Sequence, residues 1–239
     1  PHTILLPKRT DITDGLWVGE TAARTASEPT FDQFEITVKE LATYVDISLR
    51  MLEDSANVEA EVRLALAEDF GAKEALSFVN GATAPEPTGY MTAPGIAETN
   101  NGHATVLSAD ALINLLYAMP ATYRNRGAWV MNGTTLAAVR KLKDSEDNYL
   151  WRPGIAEGQP ARLLGYPVFE SEDVPAIGTD SLSAAFGDFR RAYTIVDRRR
   201  FLMRDPYTQK PLVLFYSVHR VGGGGGRDTR AVKFLKFSS

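Results

Sequence analysis

Ser217 and His219 come nearest in this chain to a nucleophile beside a base. They sit at the end of the apolar run Leu212 to Val218, which reads as a buried strand bounded by turn residues. Residues two apart share one face of a strand, yet they stand side by side and not in line for attack. A histidine satisfied by structural partners is the favoured reading. His2 and His103 are scattered, so no second ligand stands at metal-binding spacing. The adjacent carboxylates Glu53-Asp54 and Glu172-Asp173 diverge as neighbours, and read as capping or solvated groups, not an acid–base pair.

Gly222 to Gly226 match a phosphate loop in composition alone. Such a loop needs a helix start directly after it, and a P-loop also needs Lys followed by Ser or Thr. Here Arg227-Asp228-Thr229 leads into a strand-like segment, so a flexible turn is expected. Arg190, Arg191, Arg198, Arg199, Arg200 and Arg204 form a basic cluster that could neutralise phosphates. No interleaved aromatics offer base stacking. The chain's net charge is −4, so salt bridges between subunits are the favoured account. There is no cysteine, which excludes disulfides, thiolate nucleophiles and cysteine-ligated metals. No cofactor is implied. No apolar run approaches the ~20 residues of a membrane span.

The elements around these residues belong to one large domain or two small ones, given 239 residues. Ile4-Leu5-Leu6 and Leu16-Trp17-Val18, separated by Asp14-Gly15, predict a projecting two-stranded ribbon. An isolated hairpin is marginal in water. It should therefore lean on another chain; the alternative is an edge hairpin packed on its own domain. Phe34, Ile36 and Val38 alternate, then the parity shifts to Leu41, Val45, Ile47 and Leu49, so Lys39-Glu40 should mark a bulge or turn. Asp54-Ser55 offers a helix cap, with Glu59 and Glu61 in the first turns. Val58, Val62, Leu66 and Phe70 form a stripe on a helix ending at Asn80-Gly81, on the order of 35 Å long. Gly71 inside it costs about 1 kcal/mol against Ala, which suggests a close contact or kink.

After a Pro/Gly-rich loop over 85–102, Ser108 caps a helix carrying Leu112, Ile113, Leu115, Leu116 and Met119, which stops at Pro120. A strand at Trp129 to Met131 follows, then a helix from Thr134 to Leu142 and a glycine-rich turn. Further strands are expected at Tyr166 to Phe169, near Ala184 to Phe186, through Tyr193 and Ile195 toward Phe201, and at Ala231 to Phe237. Strands and helices interleave without regular βαβ alternation, which indicates an α+β fold with its middle inserted between two halves of an outer domain.

These pieces, in order, resemble the tailed-phage major capsid proteins with the Hong Kong 97 fold. The resemblance rests on TFDQFEITVKELATYVDISLRMLEDS, NVEAEVRLALAEDFGAKEALSFVNG, WVMNGTTLAAVRKLKDSEDNYLW, LLGYPVFESEDVP, AFGDFRRAYTIVDRR and AVKFLKFSS. It implies an extended loop over 1–33 and a peripheral domain over 34–106 with a long spine helix. An axial domain over 107–200 and a returning peripheral segment over 201–239 complete the layout. The implied function is an icosahedral shell of pentamers and hexamers around double-stranded DNA held without sequence specificity. A portal and other virion proteins would be partners, with assembly in a bacterial host's cytoplasm and no membrane. Leu16, Trp17, Val18, Arg24, Arg198, Arg199 and Arg200 are the expected intersubunit contacts.

Two departures from the family matter. Members usually carry an N-terminal arm before the loop, and this chain starts almost at the loop, so the arm is absent, cleaved or omitted; the missing initiator Met makes processing by proteolysis the favoured expectation. Some members also cross-link neighbours through a Lys–Asn isopeptide bond promoted by a glutamate. Arg24, Pro211 and Val218 stand near those three positions, and a guanidinium is a poor nucleophile, so no covalent cross-link is expected. The alternatives are an encapsulin-like nanocompartment shell and a soluble hydrolase built on Ser217 and His219. The latter would need a pocket with convergent polar groups.

Overall fold

The computed structural model describes residues 3–9, 17–18, 31–54, 57–82, 84–144, 146–150 and 162–238. Leu16, Arg24, the expected turn at Asp14-Gly15 and the glycine-rich turn after Trp151 lie outside them.

Strands β1 (Thr3–Arg9) and β2 (Phe31–Thr37) pair antiparallel into a two-stranded ribbon, from Thr3 opposite Thr37 to Arg9 opposite Phe31. The expected ribbon is therefore present with a different second strand. Ile4 pairs with Ile36 and Leu6 with Phe34, while Trp17 and Val18 are exposed and outside any strand. The β-branched and aromatic residues of 31–37 suit a strand better than the short Leu16–Val18 cluster.

The parity shift has a physical cause. At Val38 the chain leaves the ribbon and enters β3 (Lys39–Ser48), a strand of a different sheet. There Leu41, Thr43, Val45 and Ile47 turn inward and Glu40, Ala42, Tyr44 and Asp46 stay exposed. Leu49 opens a short helix, α1 (Leu49–Asp54), so it does not continue the strand. The long helix, α2 (Val58–Asn80), has 23 residues, about 34 Å. Its N-cap is Asn57 and not Asp54-Ser55; Asp54 closes α1 and Ser55 lies outside the described residues. Gly71 meets nothing within 4 Å where a Cβ would stand, so the expected close contact is not made there.

Beyond the loop that follows α2 come β4 (Glu98–Asn100), α3 (Ala109–Ala118), α4 (Ala121–Arg124), β5 (Ala128–Met131) and α5 (Gly133–Arg140). Ser108 is the α3 N-cap as expected, though its side chain makes no capping hydrogen bond. Helix α5 starts one residue early and ends two short of expectation. It is capped by Asn132, whose Oδ1 accepts from Thr134 N at 2.9 Å. Strands β6 (Arg162–Leu163), β7 (Tyr166–Glu170) and β8 (Leu182–Gly187), helix α6 (Phe189–Ala192), then β9 (Tyr193–Asp205), β10 (Leu212–Gly225) and β11 (Val232–Lys236) complete the chain.

A three-stranded sheet runs β3-β10-β9, and a six-stranded mixed sheet runs β4-β11-β8-β5-β7-β6. The apolar stripe of α2 covers one face of the first, with Val58, Val62 and Leu66 packed near Ile47, Val213 and Phe215. The second is covered on both faces. Leu112, Leu115 and Leu116 of α3 and Val139 of α5 meet Trp129, Met131 and Phe186 on one side. Tyr90, Val174 and Val79 meet Ala185 and Phe234 on the other. Because β8 lies inside this sheet with both faces packed, its centre is Ser-Ala-Ala, small enough for two cores to approach.

Candidate functional site

The ribbon meets the body at the glycines of β10. Gly222 to Gly225 are not a flexible turn: they are buried strand residues, hydrogen-bonded opposite Val196, Ile195, Thr194 and Tyr193 of β9. A methyl group on Gly222 would stand 3.0 Å from Ile36 Cγ2. One on Gly224 would stand 2.9 Å from Ile36 Cγ1 and 3.0 Å from the Phe34 ring. On the opposite face, a methyl on Gly225 would lie 2.6 Å from Ala93 Cβ, and one on Gly223 would run into the Tyr193 hydroxyl. Side chains cannot fit on either face, so only glycine lets β2 and Tyr193 press on the strand together. Tyr193 Oη donates to Thr88 O at 2.8 Å, and burial pushes its pKa up, so it stays a neutral donor.

His219 is 2% exposed, and both ring nitrogens face carboxylates. Nδ1 contacts Glu74 Oε1 on α2, and Nε2 lies 2.9 Å from Asp197 Oδ1 on β9. Arg200 Nη2 lies 3.9 Å from Glu74 Oε2. A β-bulge brings these groups together. The β9–β10 register steps from Arg220 opposite Arg199 to Val221 opposite Asp197, leaving Arg198 as the extra residue. Asp197 and Arg200, three apart, thereby come to flank His219. Ser217 is buried one strand period away, and neither nitrogen of His219 is directed to it. The result is an ionic tie between helix and sheet, without the nucleophile–base contact a hydrolase requires.

The arginines that cluster in sequence separate in space. Arg199 lies over the Phe201 ring at 4.7 Å, on the three-stranded sheet with Arg198, Arg200 and Arg204. Arg190 and Arg191 line a cleft of about 1140 Å³ between the ribbon and the body. Burial, then donation to Asp228, raises the pKa of Tyr123 in its wall. Glu172 does not pair with its neighbour Asp173; Asn132 Nδ2 donates to its backbone O at 2.9 Å.

Among the described residues, no group of three or more His, Cys, Asp or Glu could hold a metal ion. No helix among them is long and apolar enough to cross a membrane. Among the described residues, apolar side chains lie exposed on the ribbon, with Leu5 56% and Phe31 68% exposed, and Trp17, between its two strands in sequence, is wholly exposed.

A family model described as the Phage capsid family matches residues 2–237. No curated protein matches the chain. Among solved structures, the capsid of a native GTA particle computed with C5 symmetry is 37% identical over 100% of this chain and 86% of its own, with a TM-score of 0.90. The capsid of an empty GTA particle is also 37% identical, over 100% and 85%, at 0.88. A structure from Gordonia phage Cozz is 14% identical, over 98% and 81%, at 0.72, a likeness of fold alone.

Proposed function

Because this chain belongs to the phage capsid family, we propose that its ribbon, its arginines and its two sheets serve the contacts of an icosahedral shell. The protein is a major capsid protein of a phage or gene transfer agent particle, and the encapsulin-like alternative is not favoured. The proposal adds pentamers and hexamers as the units, double-stranded DNA as the contents, and a portal as a partner, with assembly in a bacterial host's cytoplasm. The part of the chain played by catalysis is none. Both nitrogens of His219 are directed to Glu74 and Asp197, which supports that reading over a hydrolase.

The observation that carries the proposal is the ribbon. Exposed Leu5, Phe31 and Trp17 lie outside the cores that the described residues form. An apolar surface of this kind marks a protein–protein contact. Residues 1–33 act as the extended loop, whose second strand reaches Thr37. The three-stranded sheet with α2 acts as the peripheral domain. The six-stranded sheet acts as the axial domain, and β4 and β11 join it from outside 107–200. Leu16, Trp17, Val18 and Arg24 contact a neighbour, as do Arg198, Arg199 and Arg200. Neighbours are held without covalent cross-links, since Pro211 and Val218 carry no amide or carboxylate side chain and Arg24 is a poor nucleophile.

Electron microscopy of the purified protein, with nuclease-protected nucleic acid measured alongside, tests this. Closed shells enclosing DNA are expected, and denaturing electrophoresis should return single chains. A stable monomer at every concentration would end the proposal.

A further inference from the structure

The cleft between the ribbon and the body is lined by six cationic side chains, Lys8, Arg126, Arg190, Arg191, Arg227 and Arg230, against two aspartates, Asp188 and Asp228. This concentration of positive charge occurs in a chain whose net charge is −4. The aspartates are already engaged from within. Asp228 Oδ2 accepts from Tyr123 Oη at 2.7 Å, and Arg230 Nε lies 3.6 Å from its Oδ1. Asp188 faces Arg191 Nε at 3.9 Å. Arg191 also lies over the Tyr123 ring at 5.7 Å.

The walls are tied together. Lys8 Nζ on β1 donates to Gly226 O at 3.0 Å, and Arg227 Nη2 reaches Pro7 O at 3.5 Å. A cleft fastened in this way needs little ordering when a ligand enters, which lowers the entropic cost of binding.

We infer that this cleft receives a carboxylate-bearing surface of a second copy of the chain, an inference that rests on the shell reading above. Two features favour a protein over a phosphate backbone. The lining includes two aspartates, which disfavour a polyanion but fit among the mixed charges of a protein contact. The walls also carry Pro7, Phe31 and Tyr123, apolar surface for which a phosphodiester chain has no match. The chain supplies the complement itself, with 30 acidic residues against 26 basic ones. In a closed ring each subunit meets its neighbour through two unlike patches. A cationic cleft on one side therefore calls for an acidic edge on the other. Arginine suits the task, since its planar fork binds carboxylate in pairs of hydrogen bonds.

The test compares the full chain with Arg126→Glu/Arg190→Glu, by sedimentation and electron microscopy at low and high salt. Neither substitution touches the ties that hold the ribbon. The double variant should keep the wild-type circular dichroism and melting curve, while the concentration needed for assembly rises about tenfold or more. The neutral pair Arg126→Gln/Arg190→Gln should fall between, and serves in place of the first if that variant misfolds. Assembly of the charge-reversed variant at wild-type concentrations would overturn the inference. So would a variant that assembles normally but loses affinity for a short DNA duplex, which would assign the cleft to nucleic acid. If the wild type itself never assembles, the shell reading fails first.

Discussion

Trp129 and Trp17 put the same side chain at opposite extremes, one with no exposed surface and the other with none covered. Trp129 lies in the six-stranded sheet, 4.7 Å from the Phe186 ring, with Nε1 donating to Leu163 O at 3.2 Å. The sheet around it is closed on both faces by the chain's own residues. The ribbon is seated where Phe34 and Ile36 press on the glycines of β10 and is fastened by Lys8 to Gly226 O, while its Leu5 and Phe31 side chains lie exposed. Burial within one chain thus separates a closed double-faced sheet from a ribbon whose outer apolar side chains lie exposed.

The contrast is tested most severely at its closed end. Trp129→Ala should lower monomer stability by about 3–5 kcal/mol, as for other large buried aromatics, read by denaturant unfolding. A loss below about 1 kcal/mol would mean that the sheet is not the stable body described. His219→Ala should cost about 1–3 kcal/mol, because it leaves Glu74 without its buried hydrogen-bond partner. His219→Gln should recover part of that loss.

Gly224→Ala acts at the seat itself. Crowding Phe34 and Ile36 should cost about 1–3 kcal/mol, with amide exchange accelerating in β1 and β2 before the six-stranded sheet responds. Equal acceleration in both would show that ribbon and body unfold as one. Gly71→Ala sharpens the comparison from the other direction. With open space where the methyl would go, it should stabilise α2 by about 1 kcal/mol. Trp17→Ala should change monomer stability by less than about 0.5 kcal/mol yet weaken assembly. A large loss of monomer stability would place Trp17 in a core of its own chain.

Local patterning made much of this readable in advance. The stripe on α2 and its acidic first turns, the Leu-rich face of α3, and the parity change before β3 all follow from neighbours in sequence. What was missed depends on distant partners. Gly222 to Gly225 look like a flexible turn until Ile36 and Tyr193 arrive on either face, 186 and 30 residues from the nearest contact being invisible to any local window. His219 shows the same limit. Its role depends on Glu74, 145 residues away, and on a bulge at Arg198 that no alternation rule marks. The second ribbon strand was legible as a strand, but its pairing was assigned to the nearer apolar cluster, because hairpin signals favour short loops.

The glycines of β10 also set a direction on sequence change. A glycine can be altered only by adding atoms, and at Gly222 to Gly225 both faces are already occupied. Descendants of this sequence would therefore keep these four positions fixed whatever drifts around them. A saturation library should show them as a block of intolerance with a sharp edge, a pattern that composition alone would assign to a dispensable linker.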